Sequence, residues 1–167
     1  MADQEREDLI KILGNQRELF QITLRNIDDE QARRRTTVSE LTLGGLLHHL
    51  INMERHWTSV IVERDENAEL DVSEFDGEYV MAPQETMAGL LENWAEVAAA
   101  TDALIRTVDS LDSSIPTPTA PWTPERQWWT VRYTLLHILR EIAHHAGHAD
   151  IIREELDGQN STYSRIA

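Results

Sequence analysis

The segment EIAHHAGHAD, Glu141 to Asp150, places one carboxylate and three imidazoles within eight residues. These are the side chains that hold borderline divalent metals, and an imidazole can also carry a proton near neutral pH. An α-helix turns about 100° per residue, so relative to Glu141 His145 lies about +40° around the axis, His148 about −20°, His144 about −60° and His137 about −40°. All five share one broad face. Two i, i+4 pairs are available, Glu141/His145 and His144/His148, and either can present two ligands to one ion. A catalytic site uses about three protein ligands and keeps a position open, so a facing helix must add another.

That helix is LLHHLINMERHW, Leu46 to Trp57. His49 lies between Leu46, Leu50 and Met53 and is the inward candidate. His48 is about 100° away and belongs at the rim. His56, seven residues after His49, returns to roughly the same side. Glu54 can orient an imidazole or pair with an arginine. The competing reading is a set of hydrogen-bonded histidines without metal, which is common for single, partly buried imidazoles. The zinc-protease signature, a Ser–His–Asp arrangement, a glycine-rich phosphate loop and a dinucleotide fingerprint are all missing. Trp128 and Trp129 are candidates to wall a pocket. Arg33, Arg34 and Arg35 are read as structural ion-pair formers.

The elements that must carry these groups follow from apolar periodicity. Helices are expected from about 3 to 27, 42 to 64, 83 to 111 and 130 to 156, with Thr42 and Thr130 near helix starts and Asp157-Gly158 as a stop. DDEQARRRTT breaks the chain after the first. Residues 65–83 are acidic, with a short extended piece at EYVM. DSSIPTPTAPWTPE cannot be helical, and RQWWT suits a short extended arm. Gly44 and Gly45 permit close backbone packing, although simple tolerance of glycine there is the preferred reading. The pattern implies an all-α protein, a four-helix bundle whose first and third connections are too long for tight hairpins and act as crossover loops.

Bulk composition narrows the partners. The 167 residues suit one domain, 1–167, with a core at about 5–158 and a loose tail at 159–167. A net charge of −15 argues against nucleic acid and against an anionic membrane surface. With no cysteine, any thiol chemistry needs an added thiol. The acidic, amphipathic start is neither a signal peptide nor a membrane span, so a cytoplasmic location is expected.

LTLGGLLHHLINMERHW followed by LLHILREIAHHAGHADIIREELDG resembles the DinB-like superfamily of metal-binding four-helix bundles, in its actinobacterial mini-circle-type branch. The resemblance covers about residues 5–158. It implies one ligand on the second helix, mapping onto His49, and two on the last. EIAHHAG fits the pattern H-x-x-H-H-x-G with Glu141 in place of the first histidine and His145 as the second. The related mycothiol-dependent maleylpyruvate isomerase is similar in holding zinc with a His, a Glu and a His. The implied function is metal-dependent, thiol-dependent (mycothiol-type) S-transfer or isomerisation on a small electrophile. The alternative is a non-catalytic bundle that binds a divalent metal or a small ligand. Zn is the first choice, with Ni, Fe or Mn compatible with the donor set. His148 is the candidate proton carrier or fourth ligand, His144 is a neighbour, and a homodimer is the expected assembly.

Overall fold

The structure is a computed structural model describing residues 2–165. Four long helices dominate it: α1 (Ala2–Thr23), α3 (Leu43–Glu63), α4 (Met87–Thr107) and α5 (Val131–Asp157). Two short ones, α2 (Asp29–Arg33) and α6 (Ser161–Ser164), and a two-stranded antiparallel ribbon, β1 (Ser114–Pro116) with β2 (Trp128–Thr130), complete the set. The arrangement is the expected all-α bundle. Helix α1 packs on α4 and α5, and α3 packs on α4 and α5, so α1 stands diagonal to α3 and α4 diagonal to α5. The connections 24–42 and 108–130 therefore cross the bundle end, which explains their length. No helix among the described residues is long and apolar enough to cross a membrane.

Threonine caps start three of the long helices. Thr42, Thr86 and Thr130 each accept a bond from a backbone N–H three residues on, which satisfies a donor the helix itself cannot. Thr86 also corrects the expected start of the third long helix at Pro83: a turn closes from Ala82 to Glu85 first. That helix ends at Thr107 rather than Leu111, because Val108 leaves helical geometry, with ψ at 140°, and Arg6 takes the carbonyls of Ile105 and Val108. The first helix stops at Thr23, short of Ile27. Arg153 of α5 binds the carbonyls of Thr23 and Arg25 at 2.7 and 2.9 Å, and Asn26 turns left-handed. Within DDEQARRRTT, Asp28 and Gln31 form a capping box that opens α2. The tail is not loose through 159–165. Ser161 donates its N–H and hydroxyl to the Asp150 carboxylate, both at 2.7 Å, which anchors α6.

The core is mostly apolar, and it encloses a polar knot around Glu54. Glu54 is fully buried and accepts from Arg17 (2.5 Å), Thr101 (2.7 Å) and Trp94 (3.1 Å). Of the two expected roles for Glu54, the structure assigns the arginine pairing. Arg33 holds the carbonyls of Asp29, Ala82 and Glu85, Arg34 pairs with Glu30 and Arg35 with Glu40, so all three are structural.

Gly44 and Gly45 correct the reading of simple tolerance. A Cβ at Gly45 would lie 2.0 Å from the Tyr79 carbonyl oxygen, and one at Gly44 would lie 2.6 Å from the Met81 sulfur. EYVM is accordingly a turn pressed onto the start of α3, not an extended strand. Gly45→Ala is expected to push this turn away and to destabilise the protein by about 1–3 kcal/mol, the usual cost of overpacking. Urea denaturation checks it, and an unchanged midpoint would show that the contact is not tight.

Candidate metal centre

His49 and His145 come from facing helices, α3 and α5, and are 8% and 6% exposed. Their rings meet edge to face with centroids 4.9 Å apart. Glu141, one turn before His145, points the same way, its Oε2 3.8 Å from His145 Nε2. One donor atom from each of His49, Glu141 and His145 falls within 4.8 Å of the others. A single ion at about 2.0–2.2 Å from each donor would need only a small inward shift of the side chains. The three groups expected from the sequence are thus brought together. His144 is exposed, with its ring against His148, outside the cluster.

The surrounding polar groups decide which nitrogens face the cluster. His49 Nδ1 lies 2.9 Å from Glu78 Oε1, so a neutral ring donates there and leaves Nε2 as the lone-pair nitrogen. This is the carboxylate–imidazole pairing that typically backs a metal-bound histidine, and it is the observation of this structure that fits a metal best. His145 Nδ1 is 3.2 Å from His148 Nδ1. With His145 donating, its Nε2 is likewise left toward Glu141. Arg140 holds the other oxygen of Glu141 at 3.1 Å. The donor set of two imidazoles and one carboxylate, each held by an outer group, fits a divalent ion.

Glu78 and Tyr79, the first two residues of EYVM, are not marked as site residues by the sequence. The Tyr79 ring stacks on His49 at 4.3 Å, with its hydroxyl 3.4 Å from Nε2. Burial, then the charges of Glu141 and Glu78, raise its pKa, so the hydroxyl stays protonated. Neither residue has a local sequence signal, because both reach the site from the 64–86 connection. His48 is turned away, as expected. Its Nδ1 meets Glu85 at 2.8 Å and its Nε2 meets Asn52 at 2.9 Å.

A cavity of about 550 Å³ opens beside the cluster and is lined in part by His49, Glu78 and Glu141. Met53, Trp57, Leu70, Pro118, Trp122 and Trp129 supply apolar wall. Trp57 and Trp129 stack at 4.9 Å, and His137 meets both edge-on at 4.8 and 5.4 Å. Trp129 therefore walls the cavity as anticipated, while its neighbour Trp128 is half exposed and lies outside the lining. His56 lines it as well. His148 and His145 do not line it; His148 stands behind His145, and its pKa is lowered by burial and by His144.

Burial, then the neighbouring His49 and His148, push the His145 imidazole down to about 4. It is neutral at pH 7, the form a metal requires. The same shift sets a pH dependence for the chelated protein. Between pH 6.5 and 4 the unfolded chain binds a proton at His145 that the folded chain does not, so stability falls as pH falls through that window. Its contribution should drop by about 1–2 kcal/mol between pH 7 and 5. Urea titrations of chelated protein at the two pH values measure it. Equal loss in His145→Gln would assign the effect elsewhere.

A model of the family described as mycothiol-S-transferase matches residues 8–158. No functionally curated protein matches the chain. Among solved structures, the crystal structure of a conserved protein from Enterococcus faecalis superposes with a TM-score of 0.65 at 17% identity, covering 92% of this chain and 97% of that one. At that identity the likeness concerns the fold.

Proposed function

Because the chain belongs to the mycothiol-S-transferase family, a DinB-like family, we propose that it is a metal-dependent thiol transferase. It holds a divalent ion, zinc by first choice, with His49, Glu141 and His145, and joins a mycothiol-type thiol to a small electrophile. The observation that carries this reading is the cluster of three donors from two helices beside a largely apolar cavity. A bound divalent ion with an open position would lower the pKa of a coordinated thiol and favour the thiolate.

The chain's own groups do the rest. Glu78 accepts the His49 Nδ1 proton and so fixes that ring. His148 accepts from His145 Nδ1 and does the same for the second ring. The expected role of His148 in moving protons is thereby narrowed to one exercised through His145, since it lies outside the cavity lining. The tryptophan walls bind the electrophile's apolar body and keep water from the sulfur. A site closed by His148 as fourth ligand, the basis of the non-catalytic alternative, has less support, because His148 Nδ1 is engaged behind His145.

Elemental analysis of the purified protein, paired with mycothiol-dependent conjugation of monochlorobimane, tests the proposal. About one divalent ion per chain is expected, with conjugation lost on chelation and restored by Zn²⁺. Equal rates before and after verified metal removal would overturn metal dependence. A thiol cosubstrate of this kind belongs to the cytoplasm.

We also propose a homodimer. Ile12 of α1 and Leu136 of α5 are 43% and 45% exposed and border a shallow apolar depression with Leu9 and Leu139. Such a face suits a second copy. Light scattering should give twice 19.2 kDa, and Leu136→Glu should give the monomer. A parent that is monomeric at every accessible concentration refutes it.

A further inference from the structure

His137 lines the cavity and lies one helical turn before Glu141 on α5, its Nδ1 3.7 Å from Glu141 Oε1. One nitrogen of Arg140 serves both residues, 2.6 Å from His137 Nδ1 and 3.1 Å from Glu141 Oε1. A guanidinium can only donate, so His137 Nδ1 accepts and the ring carries its single N–H on Nε2. Arg140 thereby fixes the tautomer of His137 while it holds the carboxylate assigned to the ion. The Nε2 proton has no hydrogen-bond acceptor among the described residues, since His137 contacts Arg140, Glu141 and the rings of Trp57 and Trp129. That nitrogen is not sealed inside the protein. Aromatic faces are second-order acceptors, so a full hydrogen bond is left for an occupant of the cavity. Other polar groups of the lining are engaged within the protein. Asn52 serves His48 and Arg55, the Thr117 hydroxyl binds the Gln127 carbonyl, and the Gln127 side-chain oxygen accepts from Trp129.

We propose that His137 is a catalytic residue whose Nε2–H binds the carbonyl oxygen of the electrophile, and that the electrophile is an α,β-unsaturated ketone or aldehyde. The inference rests on the reading of this cavity as the substrate chamber of a thiol transferase. The thiolate sulfur forms a bond to the β-carbon. The C=C π bond breaks, its electron pair moves toward the carbonyl, and negative charge gathers on the carbonyl oxygen. There the Nε2–H bond strengthens, as a donor already aimed at a developing oxyanion does. The proton that the thiol gave up on ionising returns through solvent to the α-carbon. The reaction is an addition, so no leaving group, oxidant or further reactant is needed. Trp57 and Trp129, stacked at 4.9 Å beside His137, offer a face to the planar conjugated part.

The test uses the protein as purified, with mycothiol and two electrophiles. One is trans-4-phenyl-3-buten-2-one; the other is 4-nitrobenzyl chloride, whose charge leaves on chloride. His137→Phe keeps a ring and removes the N–H, whereas His137→Gln returns an N–H at similar reach. His137→Phe should lower kcat for the ketone about a hundredfold, at least about tenfold more than it lowers conjugation of the chloride, and His137→Gln should recover part of the loss. Independently of turnover, 4-phenyl-2-butanone labelled with carbon-13 at its carbonyl is bound without thiol and its infrared band recorded. The band should move to lower frequency in the parent and in His137→Gln, and not in His137→Phe. Equal loss with both electrophiles, or an unshifted band in the parent, overturns the inference. So does loss of the metal ion from His137→Phe, which would make His137 a ligand. A band shift that depends on His137, with conjugation of neither electrophile, supports the N–H assignment and removes the transferase reading instead.

Discussion

His49→Ala is expected to lose bound metal and thiol transfer together, each by more than about a hundredfold, whereas His48→Ala keeps both. The two residues are adjacent on α3 but differ by about 100° in direction. Both nitrogens of His48 are engaged, by Glu85 and Asn52. His49 is the only member of the cluster that α3 supplies. Glu141 and His145 remain one helical turn apart without it, so two donors persist but the link between helices is gone. Glu78→Gln should fall between the two variants, with affinity reduced about 10–100-fold, because His49 keeps its place and loses only its charged acceptor. Equilibrium dialysis with metal analysis, alongside initial rates, measures the series. If His49→Ala binds metal as tightly as the parent, the assignment of the ligands is wrong.

Glu54→Ala should lower stability by about 3–5 kcal/mol, the cost of breaking a buried ion pair by removing one partner. Arg17 is 5% exposed and would keep only Asp102, at 3.0 Å, while the Trp94 and Thr101 donors would lose their acceptor. Asp102 retains part of the compensation, which points to the lower half of that range. The midpoint of urea denaturation reads the loss. The folded variant should still bind one metal ion, since Glu54 is not in the cluster. Replacing both partners by apolar residues, Arg17→Met with Glu54→Leu, should be tolerated better than Glu54→Ala alone. A folded Glu54→Ala protein that fails to bind metal would show that Glu54 acts at the site.

Helical periodicity carried the bundle, and with it most of the cluster, because a 3.6-residue repeat fixes which side chains share a face. Thr42, Thr130 and Gly158 marked helix ends through local chemistry, and they lie where that chemistry requires. The spacing alone left Glu141/His145 and His144/His148 as equal choices; the family resemblance separated them, and the structure clusters the first pair with His49. Glu78, Tyr79 and the cavity walls were not legible. They arrive through connections whose course depends on contacts far away in sequence, such as Leu70 N–H to the Thr119 carbonyl at 2.8 Å. The ends of α1 and α4 are not legible in the sequence for a related reason. Arg153 and Arg6 reach those ends from other helices, and no window along α1 or α4 contains them.

The Tyr79 carbonyl resting on Gly45 has a consequence for how metal and backbone report on each other. Glu78 reaches His49 only while that turn is seated on α3. Whatever affinity the ion gains from Glu78, the seated turn must gain equally from the ion, since coupling between two equilibria is reciprocal. In the loaded protein the turn should therefore open less often, and amide hydrogens in 78–81 that exchange through this opening should exchange more slowly by the same factor. The two glycines at the start of α3 thus make backbone exchange in a loop a gauge of occupancy at an imidazole several residues further along the helix.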